Sequence, residues 1–297
     1  MGYVNVFVSS PCNLSVKNRQ LIVKGQEEHS FPLEDMNALL IESAECNVSG
    51  YALQALADAG VVVFTCDSRH LPNGVLTPYN CYYRQLKILN LQLNISKPLQ
   101  KQLWQTIIRR KIENQALCVR MCSDESNNDL LTLAKSVSSD DSGNCEATAA
   151  NIYFKKIFGK GFVRRDDSFV NAALNYGYSL IRGLIARTLA VYGFEPSLGI
   201  HHSNELNAFN LADDLIEPFR PVVDMLVFNM SGSETLSSND KKRLFSLLNQ
   251  DVQINGGIYS LSYAVEITVQ SLKNSMAEGK NILQLPEILP ISMHSYE

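Results

Sequence analysis

Residues 70–80, HLPNGVLTPYN, crowd proline, glycine and asparagine into one short stretch, and the hydrophobic pattern differs on its two sides. Before it, VNVFVSS (4–10), LSVKNRQLIVKG (14–25), MNALLIES (36–43) and VVVFTCD (61–67) are short, rich in β-branched residues and separated by polar or Gly/Pro punctuation. That is strand patterning. One helix interrupts them at SGYALQALADAG (49–60), with Ser49 placed as N-cap and Gly60 as the stop. After the stretch, period and length become helical. In KPLQKQLWQTIIRRKIENQAL (97–117), Pro98 suits a first turn, and Leu99, Leu103 and Ile107 recur at helical spacing. CEATAANIYFKKIF (145–158) and SFVNAALNYGYSLIRGLIARTLAVYG (168–193) predict two more helices, the second apolar on most faces and so central to a core. Residues 123–144, rich in Ser, Asp and Asn, predict an exposed loop around one short helix. The expected class is α+β: a small N-terminal β-rich domain, residues 1–82, followed by a larger all-α C-terminal domain, residues 83–297.

Bulk properties narrow the function. A chain of 297 residues with 45% hydrophobic and 19% charged residues can bury two ordinary cores and is not disordered wholesale. A net charge of −4 excludes a uniformly basic nucleic-acid binder but leaves room for local patches. The seven cysteines are odd in number, scattered and without paired CxxC spacing, which fits reduced thiols rather than a disulfide framework or a structural zinc site. No apolar run approaches the roughly 18 residues of a membrane span. MGYVNVFVSS also lacks the basic-then-apolar layout of a signal peptide, so a cytoplasmic protein without a membrane partner is expected.

Chemistry concentrates in GIHHSNELNAFNLADDLIEPFRP (199–221), where two histidines precede a crowd of acids. With Asn210 as N-cap and a helix from Leu211, Asp213 and Asp214 fall within one turn of Glu217, and such like charges repel unless a cation lies opposite. Pro218 and Pro221 then bend or break the helix. Read alone, the stretch favours a solvated acidic face beside surface histidines. A third donor is available in Glu146, in the first turn of a helix whose Ala149, Ala150 and Tyr153 follow on the same face. Two Glu oxygens and one imidazole suit Mg²⁺ or Mn²⁺, with positions left for water and phosphate; Glu146 by itself reads first as a helix N-terminal acid. Residues 151–165 carry Lys155, Lys156, Lys160, Arg164 and Arg165 with no acid, and QTIIRRK adds Arg109, Arg110 and Lys111. These are either a phosphate-tracking surface or solvated helix faces.

With EATAANIYF (146–154), NAALNYGYSLIRGLIARTLAVYGFEPSLGIHH (171–202) and FNLADDLIEPFRPVVD (209–224) in that order, the chain resembles the CRISPR-associated adaptation integrases, metal-dependent endonucleases that capture spacer DNA. The forms LADDLIEPFRP, NYGYS and GIHH are most similar to the branch that accompanies type II systems. The resemblance implies a β-rich N-terminal and a helical C-terminal domain, and one Mg²⁺ or Mn²⁺ held by Glu146, His202 and Glu217. His202 rather than His201 follows from the register that Gly199 sets, with His201 a neighbour. Asp214 would orient the metal or its waters from one turn before the second carboxylate. Lys155, Lys156, Arg164 and Arg165 would contact DNA. Ala147 and Asn151 stand where many relatives have glycine and arginine, which bears on fine DNA contacts. The implied activity is insertion of new spacers by 3′-hydroxyl attack on a phosphodiester, on double-stranded prespacer and repeat DNA. The implied partners are a second copy of the chain, a dimer of a small ferredoxin-like CRISPR adaptation protein and other type II CRISPR proteins. Alternatives are a branched-DNA nuclease without an integration role and a catalytically silent DNA-binding scaffold.

Overall fold

A computed structural model describes residues 2–77, 84–230 and 235–294. These form two compact units, one on either side of residues 78–83. The domain boundary expected between residues 82 and 83 lies outside the described residues.

The first unit contains β1 (Val4–Val8), β2 (Asn13–Lys17), β3 (Gln20–Lys24), β4 (Glu28–Pro32), β5 (Met36–Ile41), β6 (Asn47–Val48), α1 (Gly50–Asp58), β7 (Val62–Cys66) and β8 (Pro72–Val75). They make two four-stranded sheets, ordered β1-β5-β7-β8 and β4-β3-β2-β6. β5 runs parallel to both β1 and β7, so it is covered on both sides and reads as the nearly unbroken apolar run MNALLI. The β2–β3 hairpin closes through Asn18 and Arg19, both at positive φ (51° and 59°), as a two-residue turn requires. α1 is capped as its sequence expects: Ser49 Oγ accepts from the Ala52 N–H at 3.2 Å. The core of this unit is built on Leu14, Leu21, Leu39, Leu56 and Val63. Residues 72–75 are a strand and not only turn: β8 pairs antiparallel with β7 at a sheet edge, where Pro72 costs no ladder bond.

The second unit contains α2 (Gln85–Leu93), α3 (Lys97–Cys122), α4 (Asn128–Ser136), α5 (Cys145–Phe158), α6 (Phe169–Val191), α7 (Asn210–Leu215), α8 (Arg220–Phe228), α9 (Ser238–Ser246), β9 (Gln250–Ile254), β10 (Gly257–Ser260), α10 (Leu261–Glu278) and β11 (Glu287–Met293). The expectation of an all-α unit is therefore corrected. A sheet ordered β10-β9-β11 lies near its C-terminal end. The β9–β10 hairpin turns on Asn255 and Gly256, at φ 52° and 78°, the Asn-Gly pair that a two-residue hairpin favours.

α3 starts behind a Ser96 cap with Pro98 in its first turn and buries Leu99, Leu103, Ile107 and Ile112 on one side. α6 is buried along most of its length. At Gly177 it approaches α8 so closely that an added Cβ would lie 2.4 Å from Val223 Cγ1. None of the described helices is long and apolar enough to cross a membrane.

Candidate functional site

Three acids lie close in sequence, yet the fold separates their partners. α7 ends at Leu215 and Glu217 begins a short 3₁₀ turn, Glu217–Phe219, before α8, so the run of acids does not stay on one helical face. Asn210 is the first residue of α7 instead of its cap, a correction with a clear cause. Its side chain is turned back into the preceding loop, donating to the Ser197 and Asn204 carbonyls at 3.0 and 2.9 Å. Asp213 is gripped by Arg182, through Nε at 2.5 Å and Nη2 at 3.0 Å, and by Asn207. Burial opposes its ionisation, but the Arg182 and Asn207 hydrogen bonds prevail and hold the carboxyl below its ordinary range.

Asp214 is completely buried and collects four donors: the backbone N–H groups of Ile200, His201 and His202 at 2.5, 3.0 and 3.1 Å, and His202 Nδ1 at 2.7 Å. The carboxylate thereby shapes the 199–202 loop and fixes one ring at once. Gly199 permits the arrangement, because a Cβ there would stand 2.2 Å from the His202 carbonyl oxygen and 2.8 Å from Asp214 Oδ2. The Asp214 hydrogen bond raises the His202 imidazole above its ordinary 6.5; burial opposes this, and the charges of Asp214, Glu217 and Asp213 reinforce it. His201 is more than a neighbour. Its ring stacks on the buried Trp104 of α3 at 4.2 Å, nearly parallel, while Trp104 meets His202 edge-on at 5.7 Å.

Glu146 stands in the first turn of α5, whose N-terminus is capped by Asp141, its carboxylate accepting from the N–H groups of Cys145 and Glu146 at 2.9 and 3.0 Å. From there Glu146 Oε1 meets Lys111 Nζ at 2.6 Å, and the same ammonium lies 2.5 Å from Glu217 Oε2. The second Glu217 oxygen accepts from Arg220 Nε at 2.8 Å. Glu217 Oε2, although ion-paired, is buried without a hydrogen bond of acceptable geometry. Burial pushes the Glu217 carboxyl up, yet the Arg220 and Lys111 charges outweigh it and hold it at about 2. Burial pulls Lys111 down, and the Glu217 and Glu146 charges reverse it, keeping the ammonium above its ordinary 10.5. Among the described residues, no three His, Cys, Asp or Glu side chains converge closely enough to hold a metal ion. Glu146 and Glu217 meet on the lysine, and His202 on Asp214.

Beneath this layer, Arg220 lies over the Tyr178 ring at 4.6 Å, and the Tyr178 and Tyr153 hydroxyls both donate to buried Asp224, that of Tyr153 at 2.8 Å. Burial pushes Asp224 up to about 6, while the tyrosine hydrogen bonds pull the other way. A cleft of about 570 Å³, lined in part by Lys97, Gln100, Asn204 and Asn207, opens beside His202.

Of the expected DNA-contacting residues, Lys155 and Arg165 are exposed. Lys156 is committed to Asp129 and the Ser126 carbonyl, and Arg164 to Asn171 and Asn175 at 3.1 and 2.8 Å. Lys111 and Arg220 belong to the site although the sequence reading placed Lys111 only in a basic run. The available signal was periodicity, since Lys111 continues the Leu103–Ile107 row of α3 toward the interior.

The chain was compared with known proteins. The family described as CRISPR associated protein Cas1 matches residues 6–251. A CRISPR-associated endonuclease Cas1 from Neisseria meningitidis serogroup C (strain 8013) is 43% identical over 309 aligned residues, covering 100% of both chains. Among solved structures, a casposase bound to integration product superposes with a TM-score of 0.78 at 20% identity, covering 100% of this chain and 97% of that one. A chain of a Cas6-RT-Cas1–Cas2 complex gives 0.71 at 19% identity, covering 96% of this chain and 36% of that one.

Proposed function

The chain belongs to the CRISPR-associated Cas1 family, and on that premise we propose that it is a metal-dependent DNA endonuclease and integrase that inserts short captured DNA into a CRISPR array. One observation carries the reading. Glu146 and Glu217, from separate elements, converge on the Lys111 ammonium at 2.6 and 2.5 Å, and Glu217 acts electrostatically on His202, whose Nδ1 is taken by Asp214. Convergent carboxylates repel unless a cation lies between them, the place Lys111 takes here, so the pair is an acidic site held together by a counter-charge.

By their chemistry these donors suit Mg²⁺ or Mn²⁺, although as placed among the described residues no three of them converge on one point. Glu146 and Glu217 offer hard oxygens, one of them a buried acceptor without a hydrogen bond, and His202 offers Nε2 because its other nitrogen is engaged. When bound, the ion supplies Lewis-acid polarisation of a phosphodiester and makes an attacking hydroxyl more acidic. The chain's own residues do the rest. Asp214 keeps the His202 proton on Nδ1 and so leaves the Nε2 lone pair facing forward. Lys155, Lys156, Arg164 and Arg165 are proposed to position the DNA backbone, Lys156 and Arg164 only after exchanging their present partners.

In the proposed reaction the 3′-hydroxyl oxygen of the captured strand forms a bond to phosphorus at a repeat boundary. The bond from that phosphorus to the repeat's own 3′-oxygen breaks, and that oxygen takes up a proton as the attacking hydroxyl loses one. One phosphodiester replaces another, so no ATP is consumed. Water in place of the hydroxyl gives the endonuclease activity. A homodimer, bridged to a second one by a small ferredoxin-like protein dimer, is the proposed working assembly; the Cas2 named in the neighbouring complex supports a partner of this kind.

Glu217→Ala tests the assignment. Loss of strand joining with DNA binding retained is expected, and unchanged joining would remove Glu217 from the site. A labelled duplex that is cut but never joined to a repeat array would favour the branched-DNA nuclease.

A further inference from the structure

We infer that Lys111 is an internal counter-cation: its ammonium holds Glu146 and Glu217 together in the metal-free protein and competes with the divalent ion for them. The inference rests on the metal reading above and concerns what sets that site's affinity.

Charge and geometry lead to it. Two carboxylates and two cations share the cluster, with Lys111 Nζ 2.6 Å from Glu146 Oε1 and 2.5 Å from Glu217 Oε2, and Arg220 Nε 2.8 Å from Glu217 Oε1. The cluster is thus neutral as it stands, and a divalent ion would leave it strongly positive while Lys111 remained in place. The two cations are not equally held. Arg220 lies over the Tyr178 ring at 4.6 Å and donates through Nε to Glu217, so its planar group has two fixed neighbours, whereas a lysine ammonium is a point charge on a flexible four-carbon stem. The Lys111 side chain is 9% exposed and Glu217 6%, whereas Glu146 is 30% and Arg220 28% exposed, so solvent reaches Glu146 while Glu217 stays buried between the two cations. Lys111 can therefore release Glu146 without unmaking the Glu217–Arg220 pair. Without Lys111 the two carboxylates would face each other with one cation fewer, which costs stability until a metal arrives.

The test compares wild type, Lys111→Met and Lys111→Gln, titrating Mn²⁺ by calorimetry and following thermal unfolding with and without the ion. Mn²⁺ binding is expected to tighten by about tenfold or more in the variants, because a competing positive charge has gone. Their metal-free melting temperature should fall below wild type, and the rise on adding Mn²⁺ should grow, as ligand linkage requires. A variant that folds only when Mn²⁺ is present would support the inference in the same sense. Unchanged or weaker Mn²⁺ binding in both variants would overturn it, as would variants that Mn²⁺ fails to stabilise. A charge-independent scaffolding role for Lys111 predicts those last two results and no tightening. If neither wild type nor variants bind Mn²⁺, the metal reading itself fails, an outcome distinguishable from equal binding by all three.

Discussion

Replacing Asp214 by Asn removes the charge that four donors share, and with it the hold on the His202 tautomer. Loss of such an outer partner weakens metal binding by about 10- to 100-fold, the expected result of Mn²⁺ calorimetry on Asp214→Asn, with the helical circular-dichroism signal retained. Asp224 makes a prediction of a different kind. Its carboxyl sits at about 6 in the folded protein against an ordinary 3.8, so the folded state holds its proton to higher pH than the unfolded chain does. Stability from this group is complete below the unfolded value and is lost as pH rises through the folded one. Urea midpoints of the wild type should accordingly carry a falling contribution between roughly pH 4 and 6, and Asp224→Asn should lack it. At this scale the acids and histidines were legible as types, and the inward periodicity of Lys111 was there to be read. Which carboxylate meets which cation was not, because Lys111, Glu146 and Glu217 belong to three separate elements and periodicity carries no information between elements.

α3 is the element on which the site is assembled. It supplies Trp104 to the histidine loop, Lys111 to the two glutamates, and Asn114, which is fully buried, to the turn behind Glu217. Asn114 Nδ2 donates to the Pro218 and Pro286 carbonyls at 2.7 and 2.9 Å, and its Oδ1 accepts from the Ile288 N–H. Asn114→Ala leaves all three groups unpaired, and a loss of about 2–4 kcal/mol in urea unfolding is expected. Mn²⁺ affinity should fall too, since Pro218 follows Glu217 directly. The α6–α8 contact gives a steric counterpart. Gly177→Ala places a methyl 2.4 Å from a stiff Val223 branch, and the overpacking cost of about 1–3 kcal/mol exceeds the roughly 1 kcal/mol gained in helix propensity. Thermal unfolding should show the loss, and Val223→Ala in the same chain should recover part of it. Helices with long apolar rows, such as α3, α5 and α6, were readable in advance. The β9–β10 hairpin was missed although Asn255–Gly256 announces it, because the helical character of the preceding residues was extended over it.

For the molecule as a whole, an acidic balance of −4 means that the proposed DNA contacts fall to local basic patches and not to the bulk of its surface. Lys155 and Arg165 are exposed, whereas Lys156 and Arg164 already serve internal contacts. Replacing Lys155 and Arg165 together by Ala should weaken DNA binding evenly across sequences and lower the log–log salt slope by about 2, as two lost phosphate contacts imply. Lys156→Ala should instead loosen the α4–α5 contact and show in stability. The division into a strand-rich and a helix-rich unit followed from hydrophobic period alone, but the small sheet in the second unit did not.

The chain contains a single tryptophan, and it is Trp104, stacked on His201 and edge-on to His202. Nature has thereby placed the protein's one indole chromophore against the loop that carries its proposed metal ligand. Its emission is a built-in spectroscopic reporter of the proposed site: filling that site with paramagnetic Mn²⁺ should quench the fluorescence and filling it with diamagnetic Mg²⁺ should not, an outcome a fluorometer reads in the unlabelled protein.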